Sequence, residues 1–334
     1  METTKSSFAA SNKSQSTARA KPQNFKVLSL IAGLVLALLP VSASGQISFG
    51  DATELKGTGY APRIAVDGDN AVEVFQSESG AGALEYRTGK VGITGGVIAW
   101  KAAAKKYETG LAPSVAISGS NVVEVHEDGN GGLWYLTGKV AATGTITWAT
   151  AAIQYTNGYA PSVAASGTQI IEVHQATQSN PSDLWYEAAQ FNTSGTVTFQ
   201  GGGNYTQGFA PSVALAGATL VEVHQGASPA LWYLLGTIQA GNSVEFGLGF
   251  QFDNGYAPTV AIAGPTIVEA HEDGGGEEWY STGLLQGNGT VAWGTSSEYQ
   301  AGALPSIAIA GPSVSEIHEG SPTDGTIWNI PGQF

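Results

Sequence analysis

Leu111-Ala-Pro113-Ser-Val-Ala-Ile117, then Val122-Val-Glu-Val-His126, then Leu133-Trp-Tyr-Leu136, then Gly144-Thr-Ile-Thr-Trp148: these four segments decide the fold. Each is short, rich in β-branched and aromatic residues, and bounded by Gly, Ser, Asn, Asp or Thr. Such runs read as four antiparallel strands joined by tight turns. No stretch beyond the N-terminal leader carries an apolar period of 3.6 long enough for a helix.

The same wording recurs along the chain. Aligned on the proline, it stands as Tyr60-Ala-Pro62, Leu111-Ala-Pro113, Tyr159-Ala-Pro161, Phe209-Ala-Pro211, Tyr256-Ala-Pro258 and Ala303-Leu-Pro305, with steps of 51, 48, 50, 47 and 47 residues. A glycine precedes each triplet (Gly59, Gly110, Gly158, Gly208, Gly255, Gly302). The repeats start near residues 60, 111, 159, 209, 256 and 303. Six units of four strands predict an all-β fold, a six-bladed β-propeller of four-stranded antiparallel blades. The sixth unit stops after Thr326-Ile-Trp328-Asn-Ile330 and lacks its last strand. Gln46-Ile-Ser-Phe49 matches Thr145-Ile-Thr-Trp148 and supplies it, so an N-terminal strand is expected to complete the last blade and close the ring. An open β-solenoid is the architectural alternative.

Outside the repeats, residues 1–43 read as a signal peptide. Lys5, Lys13, Arg19, Lys21 and Lys26 precede the apolar run Val27–Leu39, and Val41-Ser-Ala43 places small residues before a cut. As a helix the run rises about 20 Å, short of the roughly 30 Å hydrocarbon core, so retention as a membrane anchor is the lesser alternative. Residues 44–334 then form the propeller domain, secreted or periplasmic, with no membrane insertion after signal cleavage. That part has 8 basic and 26 acidic side chains, a net charge of −18, and neither Lys nor Arg after Lys139. Such a surface repels phosphate backbones and excludes nucleic acid as the expected partner. The chain has no Cys, which excludes disulfides, thiolate metal sites and Cys nucleophiles.

All five His occupy one repeat position: His126, His174, His224, His271 and His318. Two residues earlier stands Glu124, Glu172, Glu222, Glu269 or Glu316, and the first unit pairs Glu73 with Phe75. Residues two apart on a strand share a face. Each Glu–His pair therefore reads either as a buried hydrogen-bonded knot between blades or as part of a ligand site. In the ligand reading, Trp134, Trp185, Trp232 and Trp279 follow on the neighbouring strand, where an indole can stack on a pyranose and a carboxylate can accept from its hydroxyls. The candidate ligand-binding residues are Glu124, His126, Trp134, Glu172, His174, Trp185, Glu222, His224, Trp232, Glu269, His271 and Trp279. No catalytic residue, metal site or cofactor is expected, since one His per blade keeps imidazoles apart. The first unit breaks the symmetry most, with Arg63, Asp67, Phe75 and Glu85. A carboxylate pair from Asp67, Asp69 and Glu85 would be the route to an enzyme.

In repeat length, closing arrangement and acidic exported character, residues 46–334 resemble β-propeller lectins of bacteria and fungi, of the Aleuria and tachylectin types. The resemblance implies a multivalent carbohydrate-binding propeller with glycans or glycoconjugates as partners. Fucose sites of that kind combine Arg, Glu and an aromatic ring, whereas Arg occurs here beyond the leader only at Arg63 and Arg87. The repeat signatures of sialidases and of WD40 blades are absent. Two alternatives stand beside the lectin reading: a structural or adhesive propeller whose Glu-x-His is a packing knot, and a secreted glycoside-cleaving enzyme.

Overall fold

In the second repeat, the expected strands form where they were read. Leu111–Ser118, Asn121–Glu127 and Gly132–Val140 pair antiparallel in succession, and the outer edge is filled by Ile146–Trp148 and Ile153–Asn157. The computed structural model describes residues 45–78, 82–92, 95–101, 103–179, 181–321 and 325–334. The signal peptide expected over residues 1–43 lies outside them. Among the described residues all regular structure is β-strand, and the meander of the second repeat recurs along the chain. Between the third and fourth units the chain does not turn: Val197–Ala216 serves as the outer strand of one and the inner strand of the next.

The sixth unit is completed from the N-terminal side, as its truncated repeat requires. Ser48 and Phe49 pair with Gln333 and Gly332, and Thr53–Thr58 continues along Asn329–Thr326 before the strand enters the first unit. The inner strands touch their neighbours in sequence order, and Ala303–Ala310 touches Thr53–Asp67. The ring is closed, and the architecture is a β-propeller.

Proline sets the geometry of each inner strand. It has no N–H to give the ladder, and pairing slips at every Ala-Pro step, as between Tyr159 and Ser162, before resuming. The residue before each proline holds a left-handed backbone: Ala61, Ala112, Ala160, Ala210, Ala257 and Leu304 have φ of 49°, 45°, 49°, 47°, 47° and 53°. For residues with a Cβ this conformation costs on the order of 1–2 kcal/mol each, so surrounding bonds must hold it. Glu319, Glu127, Gln175 and Glu272 do so from the preceding unit, accepting from the N–H of Ala61, Ala160, Ala210 and Leu304 at 2.6–2.8 Å. Serines after the proline add a second tie. Ser306, Ser114, Ser162 and Ser212 accept from Ile64, Val163, Val213 and Val260 of the following unit.

The apolar core is divided among the junctions. Six clusters each straddle two successive units, such as Val72, Val74, Val115 and Val122, or Ala164, Ile171, Val213 and Leu220. Five junctions share one aromatic triad. A ring from the outer strand of one unit stacks on the outer-strand ring of the unit before it, as Trp148 does on Tyr107 at 4.8 Å. The other stacks are Phe199 on Tyr155, Phe246 on Tyr205, Trp293 on Phe252 and Phe49 on Tyr299. Phe49, from the closing strand, thus takes the place that Trp148 holds in its own unit. At the remaining junction Trp100 donates to Asn329 instead.

Ile47 is buried in the last cluster with Val268, Tyr280 and Val314. Ile47→Ala is expected to lower unfolding stability by about 2–4 kcal/mol in chemical denaturation. A loss within error would mean that the closing strand does not complete the core.

Candidate functional site

Each Glu–His pair lies face to face on its strand, as period-two geometry requires, and each is sealed by its neighbours. His126, His174, His224, His271 and His318 bring Nδ1 to 2.9–3.0 Å from the carboxylates of Glu124, Glu172, Glu222, Glu269 and Glu316. In the first four pairs an ionised carboxylate only accepts, so Nδ1 carries the proton. All five Glu are 0% exposed. The sequence left open whether these pairs are sealed or wet; the structure closes the carboxylates off from solvent.

Two of them, Glu124 and Glu222, take a second hydrogen-bond partner from the preceding unit. Tyr107 donates to Glu124 and Tyr205 to Glu222, each at 3.0 Å, and Tyr155 and Tyr299 stand against Glu172 and Glu316. Sequence reasoning did not single out these tyrosines. The signal was present: an aromatic stands six residues before the second to sixth prolines, at Tyr107, Tyr155, Tyr205, Phe252 and Tyr299. In the first unit Arg87 lies 3.0 Å from Glu73 and covers the Phe75 ring, so an arginine takes the histidine's part. The repeated glycine is explained by the same contact. A Cβ at Gly110, Gly158, Gly208, Gly255 or Gly302 would stand 2.3–2.5 Å from the His Cδ2.

Burial shapes the acid–base behaviour. It pushes Glu73 up to about 7 against the charge of Arg87, and it raises Glu124 and Glu269 against their histidines. Burial works to lower His126, His174 and His271, but the bonded carboxylates override it and leave all three raised.

The indoles of the candidate set lie directly across the ladder from the histidines: Trp134 opposite His126, Trp185 opposite His174, Trp232 opposite His224 and Trp279 opposite His271. They differ in freedom. Trp134 donates to Asp128, while Trp185 is 38% exposed. Trp232 and His224 line an open cleft of about 440 Å³ with Pro181, Thr206, Gln207, Gly226, Ala227 and Gly249. Exposed Leu248 and Phe250 flank Gly249 in the chain. The cleft holds an aromatic plate and neutral polar groups, and Glu222 lies beneath it, out of reach of a ligand.

A second cavity of about 250 Å³ is lined by Ala61, Ala112, Ala160, Ala210, Ala257 and Leu304, the left-handed residues of the inner strands, with Pro113, Pro161, Pro211, Pro258, Ser162, Ser212, Thr259 and Arg63. Among the described residues, Arg63 is the one charged group in the lining of this chamber. Burial lowers its pKa, opposed by the charges of Glu319 and Glu272. Among the described residues no carboxylate belongs to the lining, so Asp67, Asp69 and Glu85 do not stand there as an acid pair.

No protein-family model matches the chain, and no curated protein sequence matches it. Similarity to solved structures is extensive. Trypanosoma rangeli sialidase aligns with a TM-score of 0.57 at 10% identity over 87% of this chain, which spans 60% of that enzyme's length. YjhT aligns at 0.52 and 11% identity, covering 84% of this chain and 99% of that one. A subtype N11 neuraminidase-like protein of a flat-faced bat isolate aligns at 0.51 and 10% identity, covering 86% and 94%. At these identities the likeness is one of fold: the chain has the architecture of sialidase-type β-propellers.

Two outcomes follow from the buried pairs. Glu73, His126, His174 and His271 all have folded values above their ordinary ones, so the folded state holds the extra protons. For Glu73 the contribution is whole below about 4.5 and is lost as pH rises through about 7. For the histidines it is whole below about 6.5 and is lost above that. Thermal melts are therefore expected to show a higher Tm near pH 5 than near pH 8; a rise with pH would contradict the assignment. Glu222→Ala strands the Tyr205 hydroxyl and His224 Nδ1 and should cost about 2–4 kcal/mol, whereas Glu222→Gln keeps both partners and should cost less.

Proposed function

We propose that the protein is an exported carbohydrate-acting propeller, with the Trp-floored clefts between its blades as the binding sites. The observation that carries this reading is the His224–Trp232 cleft, where an indole and the neutral donors of Thr206 and Gln207 line one open cavity. An indole stacks on the apolar face of a pyranose, and neutral polar groups suit its hydroxyls. The strongly acidic chain favours an uncharged sugar over an anionic one. In this reading the indoles touch the ligand, His224 reaches it at the Trp232 cleft, and Glu124, Glu172, Glu222 and Glu269 position the histidines from beneath. Repetition around the ring turns weak sites into an avid surface.

The structural neighbours support the glycoside-cleaving alternative more than the lectin one, since Trypanosoma rangeli sialidase is among them, also in complex with sialic acid. Arg63 in the inner-strand chamber is the residue that would hold an acidic sugar there.

The test is a glycan array with residues 44–334, run beside hydrolysis assays on fluorogenic glycosides, with Trp232→Ala and Arg63→Gln variants checked by thermal melting. Binding without hydrolysis that weakens about tenfold in a folded Trp232→Ala protein supports the cleft reading. Hydrolysis abolished by Arg63→Gln would move the function to the chamber. Absence of both activities would leave the blades as structural or adhesive elements.

A further inference from the structure

Glu278 breaks the repeat where no other unit does. At its position the other five units carry Leu84, Leu133, Leu184, Leu231 and Ile327, all 0% exposed, so the site is apolar by design of the fold. The fifth unit places a carboxylate there, also 0% exposed. It faces the Glu–His pair of the sixth unit, with its Oε2 3.4 Å from His318 Nδ1. His318 Nδ1 is in turn 2.9 Å from Glu316. One ligand atom from each of Glu278, Glu316 and His318 lies within 4.8 Å of the others. The Tyr299 hydroxyl belongs to the same group, standing against both carboxylates.

This junction is short of donors. Both oxygens of Glu278, Glu316 Oε1, His318 Nε2 and the Tyr299 hydroxyl are buried without a hydrogen-bond partner. Two carboxylates facing one neutral imidazole cannot remain in an apolar interior with their full charge. They must gain positive charge, as protons or as a cation. A shared proton would serve two oxygens and leave the remaining orphans as they are. A divalent ion would neutralise both carboxylates and occupy the imidazole together.

We propose that Glu278, Glu316 and His318 bind a divalent transition-metal ion, best matched by Zn²⁺, as a structural clip between the fifth and sixth blades. Two carboxylate oxygens and an imidazole nitrogen suit zinc, and the Tyr299 oxygen is at hand as a fourth neighbour. Burial favours an ion of low coordination number with no water-filled position. The location fits a clip, because the sixth blade is the one assembled from both ends of the domain. Burial also implies loading during folding and slow exchange afterwards.

The chain supplies its own controls. Glu278→Leu restores the residue type of the other units, and His318→Phe copies Phe75 of the first unit, so both variants are expected to fold. The tag-free protein, expressed with zinc, is analysed for metal content by mass spectrometry. It is then melted with excess zinc and with excess dipicolinate. The expected result is one zinc per chain and a Tm higher by about 5 °C or more in zinc than in chelator. Each variant should lose the metal and melt at one temperature in both conditions. A folded parent that takes up no zinc overturns the proposal and leaves the carboxylates to a proton. Equal zinc in parent and Glu278→Leu also overturns it, by placing the ion elsewhere.

Discussion

Everything in this fold depends on placing one carboxylate in the apolar space between each pair of neighbouring blades. A buried carboxylate is stabilising only when its hydrogen bonds are complete, and at Glu124 and Glu222 that takes two blades. The strand that carries Glu124 supplies His126, but the phenol that finishes the set is Tyr107 of the blade before. The next residue on the same strand, Glu127, reaches forward and holds the strained Ala160 of the blade after. The four-residue run Glu124–Glu127 thus ties its own blade to both neighbours. With no Lys or Arg after Lys139, the chain does this through imidazole, phenol and backbone N–H at Glu124 and Glu222, while Glu269, with Phe252 in the phenol's place, relies on His271.

That division of labour accounts for what could be read without coordinates. The strand order, the closed ring and the completion of the last blade by Gln46–Phe49 follow from a repeat aligned on its proline, because period and turn chemistry are local properties. The facing of Glu and His, and of His and Trp, also follows from strand geometry. Whether Glu124 or Glu222 is open to a ligand does not, because the answer lies with Tyr107 and Tyr205, which belong to another repeat. The left-handed residue of each repeat, Ala in five units and Leu304 in the sixth, was equally hidden; at Ala61, Ala160, Ala210 and Leu304 the preceding blade holds it, and the residue type gives no hint of it. Glu278 is a different case. It is the one charged residue in a column of Leu and Ile, but the groups that give it meaning, Glu316 and His318, belong to the next repeat.

The same buried layer separates scaffold from variable surface. Because the carboxylates are committed beneath, the indoles above them are free to differ. Trp134 is tied by Asp128, Trp185 stands exposed, and Trp232 floors a cleft. Equal positions in the repeat therefore do not make equal sites. The inner-strand chamber varies less, since its wall is the strained Ala-Pro steps themselves, and Arg63 alone gives it a sign of charge.

The distribution of apolar residues into six junction clusters has a consequence for how the molecule comes apart. A linear array of repeats frays from its ends, since terminal units have one neighbour. Here the closing strand gives every blade two neighbours, so no unit is an end. Amide hydrogens in the innermost strands of all six blades should then exchange through one common opening event, with similar protection around the circle, and a lesion at any single junction would convert the circle into a chain with two fraying ends.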